Sequence, residues 1–208
     1  MKQKISYIIR PMLIVILIGL LCNFIWLYEI LQIKNWYGLN WLNGYMNSVF
    51  LIIPLTVCSF AIPLRLLEKI SIKNLFISFL GLSVISLISF EIARQFLYLI
   101  SSRLFGFTHS QFISIVIILM GFIVPNTIFC TGYYYVTNRF LIKINKRTIF
   151  LFLGSVLFSI IFGFVTVNIN SGFGSGKTFI DSVKMGYPIF WLNIFFGIIA
   201  IVIFKMKN

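Results

Sequence analysis

The sequence predicts an all-α fold, a polytopic integral membrane bundle of about six transmembrane helices with both chain ends in the cytoplasm. Only 10% of its 208 residues are charged and 60% are hydrophobic, whereas a soluble domain carries roughly 25% charged residues. The apolar residues form blocks of about 20, the length that crosses a bilayer as a helix. No polar segment is long enough to bury a core of its own, so residues 1–208 are expected to form a single transmembrane domain.

The first block follows Lys2, Lys4 and Arg10 and begins at Pro11, a residue suited to the first turn of a helix. This block is too long for the apolar core of a signal peptide, and no small-residue cleavage site follows it. A retained first span is therefore expected. The predicted spans are approximately 11–31, 47–64, 74–100, 111–136, 148–167 and 187–204.

The connection between the first two spans contains Trp36, Tyr37, Trp41 and Tyr45. Amphipathic rings at this density are typical of the membrane–water interface. We therefore expect residues 32–47 to lie along the outer membrane surface. Three tyrosines near the end of span four, at 133–135, are expected to form an aromatic belt at the inner interface.

The net charge is +13, from 17 Lys and Arg against 4 Asp and Glu. In a soluble protein this surplus would indicate nucleic acid. Here it lies mostly in short loops, which favours membrane topology and anionic lipid headgroups and predicts no direct nucleic-acid partner. With the N-terminus inside, 12 of the 17 basic residues fall on the cytoplasmic side. The largest inner group is predicted to be a basic patch, formed by Arg139, Lys143, Lys146 and Arg147.

Span three contains an acid and a base, Glu91 and Arg94, inside an apolar run. Their i, i+3 spacing places them on one helix face, where they can pair. Ionisable residues within a span are costly and so mark a candidate functional site. Alternatively, both side chains reach the outer interface and only orient the helix. The sequence leaves these two interpretations open.

Three further polar residues are candidates for function. Glu29 and His109 are expected at the level of Glu91, which favours a shared polar cluster in the outer leaflet. Asn126 follows Pro125 within span four. A proline frees a backbone carbonyl, and broken helices of this kind form ion and substrate sites in transporters. The alternative is a kink whose freed groups are satisfied locally.

Enzymatic sites are not expected. The three cysteines have no metal-binding spacing, and GFGSGKT at 172–178 departs from the phosphate-loop pattern at Ser171 and follows no strand. In their order along the chain, Cys58, Arg94 and His109 resemble the set used by the exosortase family of membrane transpeptidases, over about fifty residues. That resemblance implies a peptide-transfer enzyme, but the expected depths separate Cys58 from the other two by most of the membrane. We therefore predict no catalytic residue, no cofactor and no metal.

Two functional classes follow, with an intramembrane enzyme as a third. The first is a small component of a bacterial inner membrane that works with partners, as anchor or sensor for a cytoplasmic protein. Richness in Ile, Phe, Asn and Lys is typical of AT-rich bacterial genes, and such proteins occur in stress, immunity and phage-defence systems. The second is a homo-oligomeric channel or transporter subunit for a small solute or ion. The first is favoured because no helix carries a full set of ion ligands.

Overall fold

A computed structural model describes residues 2–33, 41–104, 111–157 and 187–207 of the chain. Within these ranges the backbone is helical apart from short connections at 68–71 and 142–147, and it contains no strand. The predicted all-α membrane bundle is thereby confirmed. The described helices are α1 Lys2–Ile33, α2 Trp41–Leu67, α3 Ile72–Leu104, α4 Gln111–Val136 with the π-helix Thr137–Leu141 after it, α5 Thr148–Leu157 and α6 Tyr187–Lys207.

Four of the described helices are long and apolar enough to cross a membrane, with spans Ile8–Trp26, Phe50–Leu67, Ile72–Phe96 and Ile189–Met206. Helix α4 has 26 residues and contains no charged residue. The described part of α5 is a shorter apolar helix. The boundaries of the six predicted spans stay a prediction.

The segment after the first span differs from the expectation. Trp41 and Tyr45 belong to the first turns of α2, rather than to a surface connection, and residues 34–40 lie outside the described part of the chain. No proline stands between Trp41 and Pro54, and the helix continues through Gly44. A helix satisfies its backbone groups internally, so it can extend past the hydrocarbon core without loss. Helix α2 also continues through Pro54 and Pro63.

Helices α1 and α6 run antiparallel, as do α3 and α4, and each pair approaches closely at glycines. A Cβ at Gly197 of α6 would lie 2.6 Å from Cγ2 of Val15 in α1. A Cβ at Gly132 of α4 would lie 2.7 Å from Cγ2 of Ile85 in α3. Small residues allow helix backbones to approach in this way in membranes. Helices that follow one another along the chain alternate in direction. One end of the bundle therefore contains the starts of α1, α3 and α5 and the ends of α2, α4 and α6.

An aromatic cluster occupies the centre, with one ring, Tyr133, in contact with all the others. Its ring stacks on Phe129 with centroids 4.2 Å apart and on Phe196 at 5.4 Å, and it meets Phe152 and Phe60 edge-on or tilted. These residues come from α2, α4, α5 and α6. Tyr133 is completely buried, whereas Tyr135 is 66% exposed. The expected three-tyrosine belt is therefore wrong for Tyr133, because successive residues turn about 100° around a helix.

Candidate functional sites

The segment joining α4 to α5, residues 137–148, is termed here the basic hairpin. Its backbone is held by local hydrogen bonds. The N–H of Ile142 donates to the carbonyl of Thr137 at 2.9 Å, and the N–H of Ile144 donates to Oδ1 of Asn138 at 3.1 Å. Asn145 accepts from the N–H of Arg147 at 3.2 Å and from that of Thr148 at 2.9 Å. The hairpin thus has a defined conformation before any partner binds.

Apolar side chains fix the hairpin to the bundle. Ile142 is 3% exposed, and Phe140, Leu141 and Ile144 pack against the same core. The π-helix adds a residue to the turn, and such turns often occur at functional sites. The segment contains no acid, and all four residues of the predicted basic patch are exposed: Arg139, Lys143, Lys146 and Arg147.

The hairpin belongs to a larger basic end of the bundle. Glu68 is the one acidic side chain among the described residues at this end. The described cations here are Arg10, Arg65, Lys69, Lys73, Arg139, Lys143, Lys146, Arg147 and Lys205. Exposed like charges at this density produce a strong positive potential, which attracts anionic partners and is weakened by salt.

Glu91 and Arg94 form a two-point ion pair. Nε of Arg94 donates to Oε2 of Glu91 at 2.8 Å, and Nη2 donates to Oε1 at 2.5 Å. Gln95 also donates to Oε1, at 2.7 Å. The Glu91 side chain is 41% exposed and that of Arg94 is 26% exposed. The pair therefore lies on the surface of the bundle, about 27 Å along α3 from Lys73 at 1.5 Å per residue, close to the thickness of the hydrocarbon core.

Of the other three predicted polar site residues, Asn126 alone has a described side chain. His109 lies outside the described residues, and so does the side chain of Glu29, although its backbone belongs to α1. Asn126 is half-buried in α4. That helix passes through Pro125 without a break, and the Thr127 hydroxyl donates to the carbonyl of Ile123 at 2.8 Å. The carbonyl that Pro125 frees is that of Gly121, which this bond does not reach, so both interpretations of Asn126 stay predictions.

A polar cluster between α1, α2 and α6 was not predicted from the sequence. Oγ of Ser59 donates to Oδ1 of Asn193, and Nδ2 of Asn193 donates to the carbonyl of Ile189 at 2.8 Å. The thiol of Cys22 lies beside Asn193 and Thr56. Cys22, Ser59 and Asn193 are all completely buried. Interhelical hydrogen bonds of this kind hold membrane helices together.

This polar cluster lies near mid-depth. Asn193 is separated from Lys205 by about 18 Å along α6, and Cys22 from Arg10 by about 18 Å along α1, at 1.5 Å per residue. Half of the hydrocarbon thickness is about 15 Å. The signal in the sequence is the lone Asn in an otherwise apolar last span, since polar residues within spans seek partners on other helices.

Comparison with protein-family models, with curated proteins and with solved structures finds no match to this chain. The class of protein therefore follows from the fold and its surfaces. Long apolar helices, a polar cluster at mid-depth and a basic end define a polytopic α-helical membrane protein.

Proposed function

We propose that this protein is a membrane component that works through a partner, with the basic hairpin as docking site for an acidic surface of a cytoplasmic protein. The main support for the proposal is the structure of the hairpin. Four cations are exposed on a backbone whose conformation is fixed by Asn138 and Asn145. A topology signal requires only positive charge near a span. A fixed arrangement of charges adds specificity and a lower entropy cost on binding.

The proposal places the basic end in the cytoplasm of a bacterium and the bundle in its inner membrane. In this arrangement the protein is an anchor or sensor, and it fits a stress, immunity or phage-defence system. The identity of neighbouring genes is an inexpensive check. A soluble effector encoded beside this chain agrees with an anchor, whereas an ATPase agrees with transport.

The test is a charge reversal in the hairpin, Lys143→Glu with Lys146→Glu. The matched control is Lys143→Arg with Lys146→Arg, which keeps the charge at the same positions. Proteins that co-purify with each variant from native membranes are identified, and their binding is then measured with purified components at several salt concentrations. We expect an acidic partner to be lost with the glutamate variant, retained with the arginine variant and weakened by salt. Equal retention by both variants contradicts the proposal.

One observation favours a second candidate, a homo-oligomeric path for a small solute or ion. The polar cluster around Asn193 lies at mid-depth, where transporters place their binding sites. The side chain of Asn193 is bonded to Ser59 and to the carbonyl of Ile189, so a path there requires the Ser59–Asn193 bond to open. Solute flux in proteoliposomes containing this protein alone, and its loss in Asn193→Ala, would favour transport over anchoring.

A further inference from the structure

The connection between α2 and α3, residues 65–73, carries a second group of cations and is termed here the elbow. Lys69 and Lys73 are exposed. Arg65 is half-buried, and its Nη1 donates to the carbonyl of Ile70 at 3.2 Å, which closes the turn. With Glu68 as the single acid in the segment, the elbow has a net charge of +2 from three cations and one anion.

The elbow has a fixed shape. The N–H of Ile70 donates to the carbonyl of Glu68 at 2.8 Å. Oγ of Ser71 accepts from the N–H of Asn74 at 3.2 Å, and its carbonyl accepts from Leu75 at 2.9 Å, so Ser71 caps the start of α3. Ile70 is only 8% exposed and belongs to the core. The two exposed lysines are therefore presented from an ordered turn.

Exposed apolar side chains distinguish the elbow from the basic hairpin. Leu66, next to Arg65, is 46% exposed, and Ile72, next to Lys73, is 72% exposed. In the hairpin, by contrast, Ile142 between the cations is turned into the core. An exposed apolar side chain at the end of a span meets acyl chains, while a neighbouring cation reaches the headgroups.

We infer that the elbow binds an anionic phospholipid, with its phosphate at Lys69 and Lys73 and its acyl chain along Leu66 and Ile72. A soluble acidic protein is a poorer fit, because the cations here alternate with exposed apolar side chains at the end of two spans. Each cation near an anionic membrane surface raises the affinity for the anionic lipid roughly fivefold. The elbow and the hairpin share no residue, and this inference does not depend on the function proposed for the hairpin.

The test compares lipid retention by the purified protein after exposure to equal amounts of phosphatidylglycerol and phosphatidylcholine, read from native mass spectra. We expect phosphatidylglycerol to be preferred, with the preference lowered about fivefold in Lys69→Gln and about 25-fold in Lys69→Gln with Lys73→Gln. The matched controls are Lys69→Arg with Lys73→Arg, and Lys143→Gln with Lys146→Gln. Both controls should keep the preference, because the first keeps the charge and the second leaves the elbow intact.

Three results would overturn the inference. Equal retention of the two lipids shows that the elbow does not select charge. A loss of preference in the hairpin variant as large as in the elbow variant shows a diffuse charge effect instead of a site. Displacement of the bound lipid by inorganic phosphate alone shows that the elbow holds only the ion. All of these substitutions are at exposed positions, so unchanged melting temperatures in detergent verify that the variants fold.

Discussion

The hydroxyl of Tyr133 lies 2.9 Å from Oγ of Ser86, and this bond joins α4 to α3 at the centre of the bundle. Both residues are buried, Tyr133 completely and Ser86 to 8% exposure. The same ring contacts Phe152 of α5 and Phe196 of α6. With its contact to Phe60 of α2, this side chain connects five helices. It reaches α2, α5 and α6 through ring contacts and α3 through the hydrogen bond, and its own backbone belongs to α4.

Tyr133→Phe should destabilise the protein by about 1 kcal/mol, because it removes a buried hydrogen bond and keeps the ring. Tyr133→Ala should cost about 3–5 kcal/mol, since it empties the centre of the aromatic cluster. Thermal stability in detergent measures both. Ser86→Ala is the matched control, and its effect should not add to that of Tyr133→Phe, because both remove the same bond. Full additivity would show that the two hydroxyls do not depend on each other.

The helices were predictable from the sequence, whereas the faces through which they pack were not. Apolar blocks about 20 residues long predict spans by length alone. A helix that is apolar all round gives no sign of which side meets another helix. For this reason Tyr133 was predicted at the interface and lies in the core, and the partners of Asn193 were not anticipated. Asn193 lies beside Ser59 and Cys22 because α6 is a neighbour of α1 and α2. The six apolar blocks of the sequence do not show which helices are neighbours.

The hairpin cations were predicted for a simpler reason. Arg139, Lys143, Lys146 and Arg147 are exposed wherever their loop runs, because charged side chains are rarely buried. The sequence did not predict the π-helix or the hydrogen bond to Asn138, which give the loop a fixed conformation. These features depend on Ile142 reaching the core, a tertiary contact.

Gly197→Ala should destabilise the bundle by about 1–3 kcal/mol through overpacking. The new Cβ would lie 2.6 and 2.8 Å from the two methyl groups of Val15, a buried β-branched residue with little freedom to move. The matched control is Gly154→Ala, where no atom lies within 4 Å of the new Cβ. That control should be neutral or slightly stabilising, since Ala favours helix. Equal melting temperatures for the two variants would show that α1 and α6 are not in close contact.

Asn193→Ala should destabilise by about 1–3 kcal/mol, because it leaves the buried hydroxyl of Ser59 without its acceptor and removes side-chain volume from a completely buried position. Ser59→Ala removes only one bond and should cost less than about 1 kcal/mol. The loss of stability in the two single variants and in the double variant is measured by thermal unfolding. An Asn193→Ala variant as stable as Ser59→Ala would mean that the cluster does not hold the three helices together.

Topology is tested by reporters at three positions. Asn145 lies in the basic hairpin, and a reporter inserted there should read cytoplasmic, as should one fused at Asn208. A reporter at Gly174 should read external, because the predicted fifth span separates it from the hairpin. Both Gly174 and Asn208 lie outside the described residues. A cytoplasmic signal at Gly174 would refute the six-span arrangement while leaving the described helices unchanged.

Substitutions in the Glu91–Arg94 pair distinguish a functional site from an ion pair that only orients the helix. Because both side chains are partly exposed near the end of the candidate span Ile72–Phe96, removing one partner should leave the other accessible to water or headgroups. We therefore expect Glu91→Gln and Arg94→Gln each to change the melting temperature less than Gly197→Ala does, and their effects to add. A buried pair behaves differently: each single change is severe and the double change is milder.

The matched control for this cycle is Gln95→Leu, which removes the third member of the group without changing charge. Measurements in proteoliposomes should accompany those in detergent, because the cost of a charge near lipid depends on its depth. If Glu91→Gln is silent for stability and yet alters partner binding or solute flux, the pair has a functional role. Severe single variants rescued by the double variant would instead show that a further copy or another segment covers this face of α3.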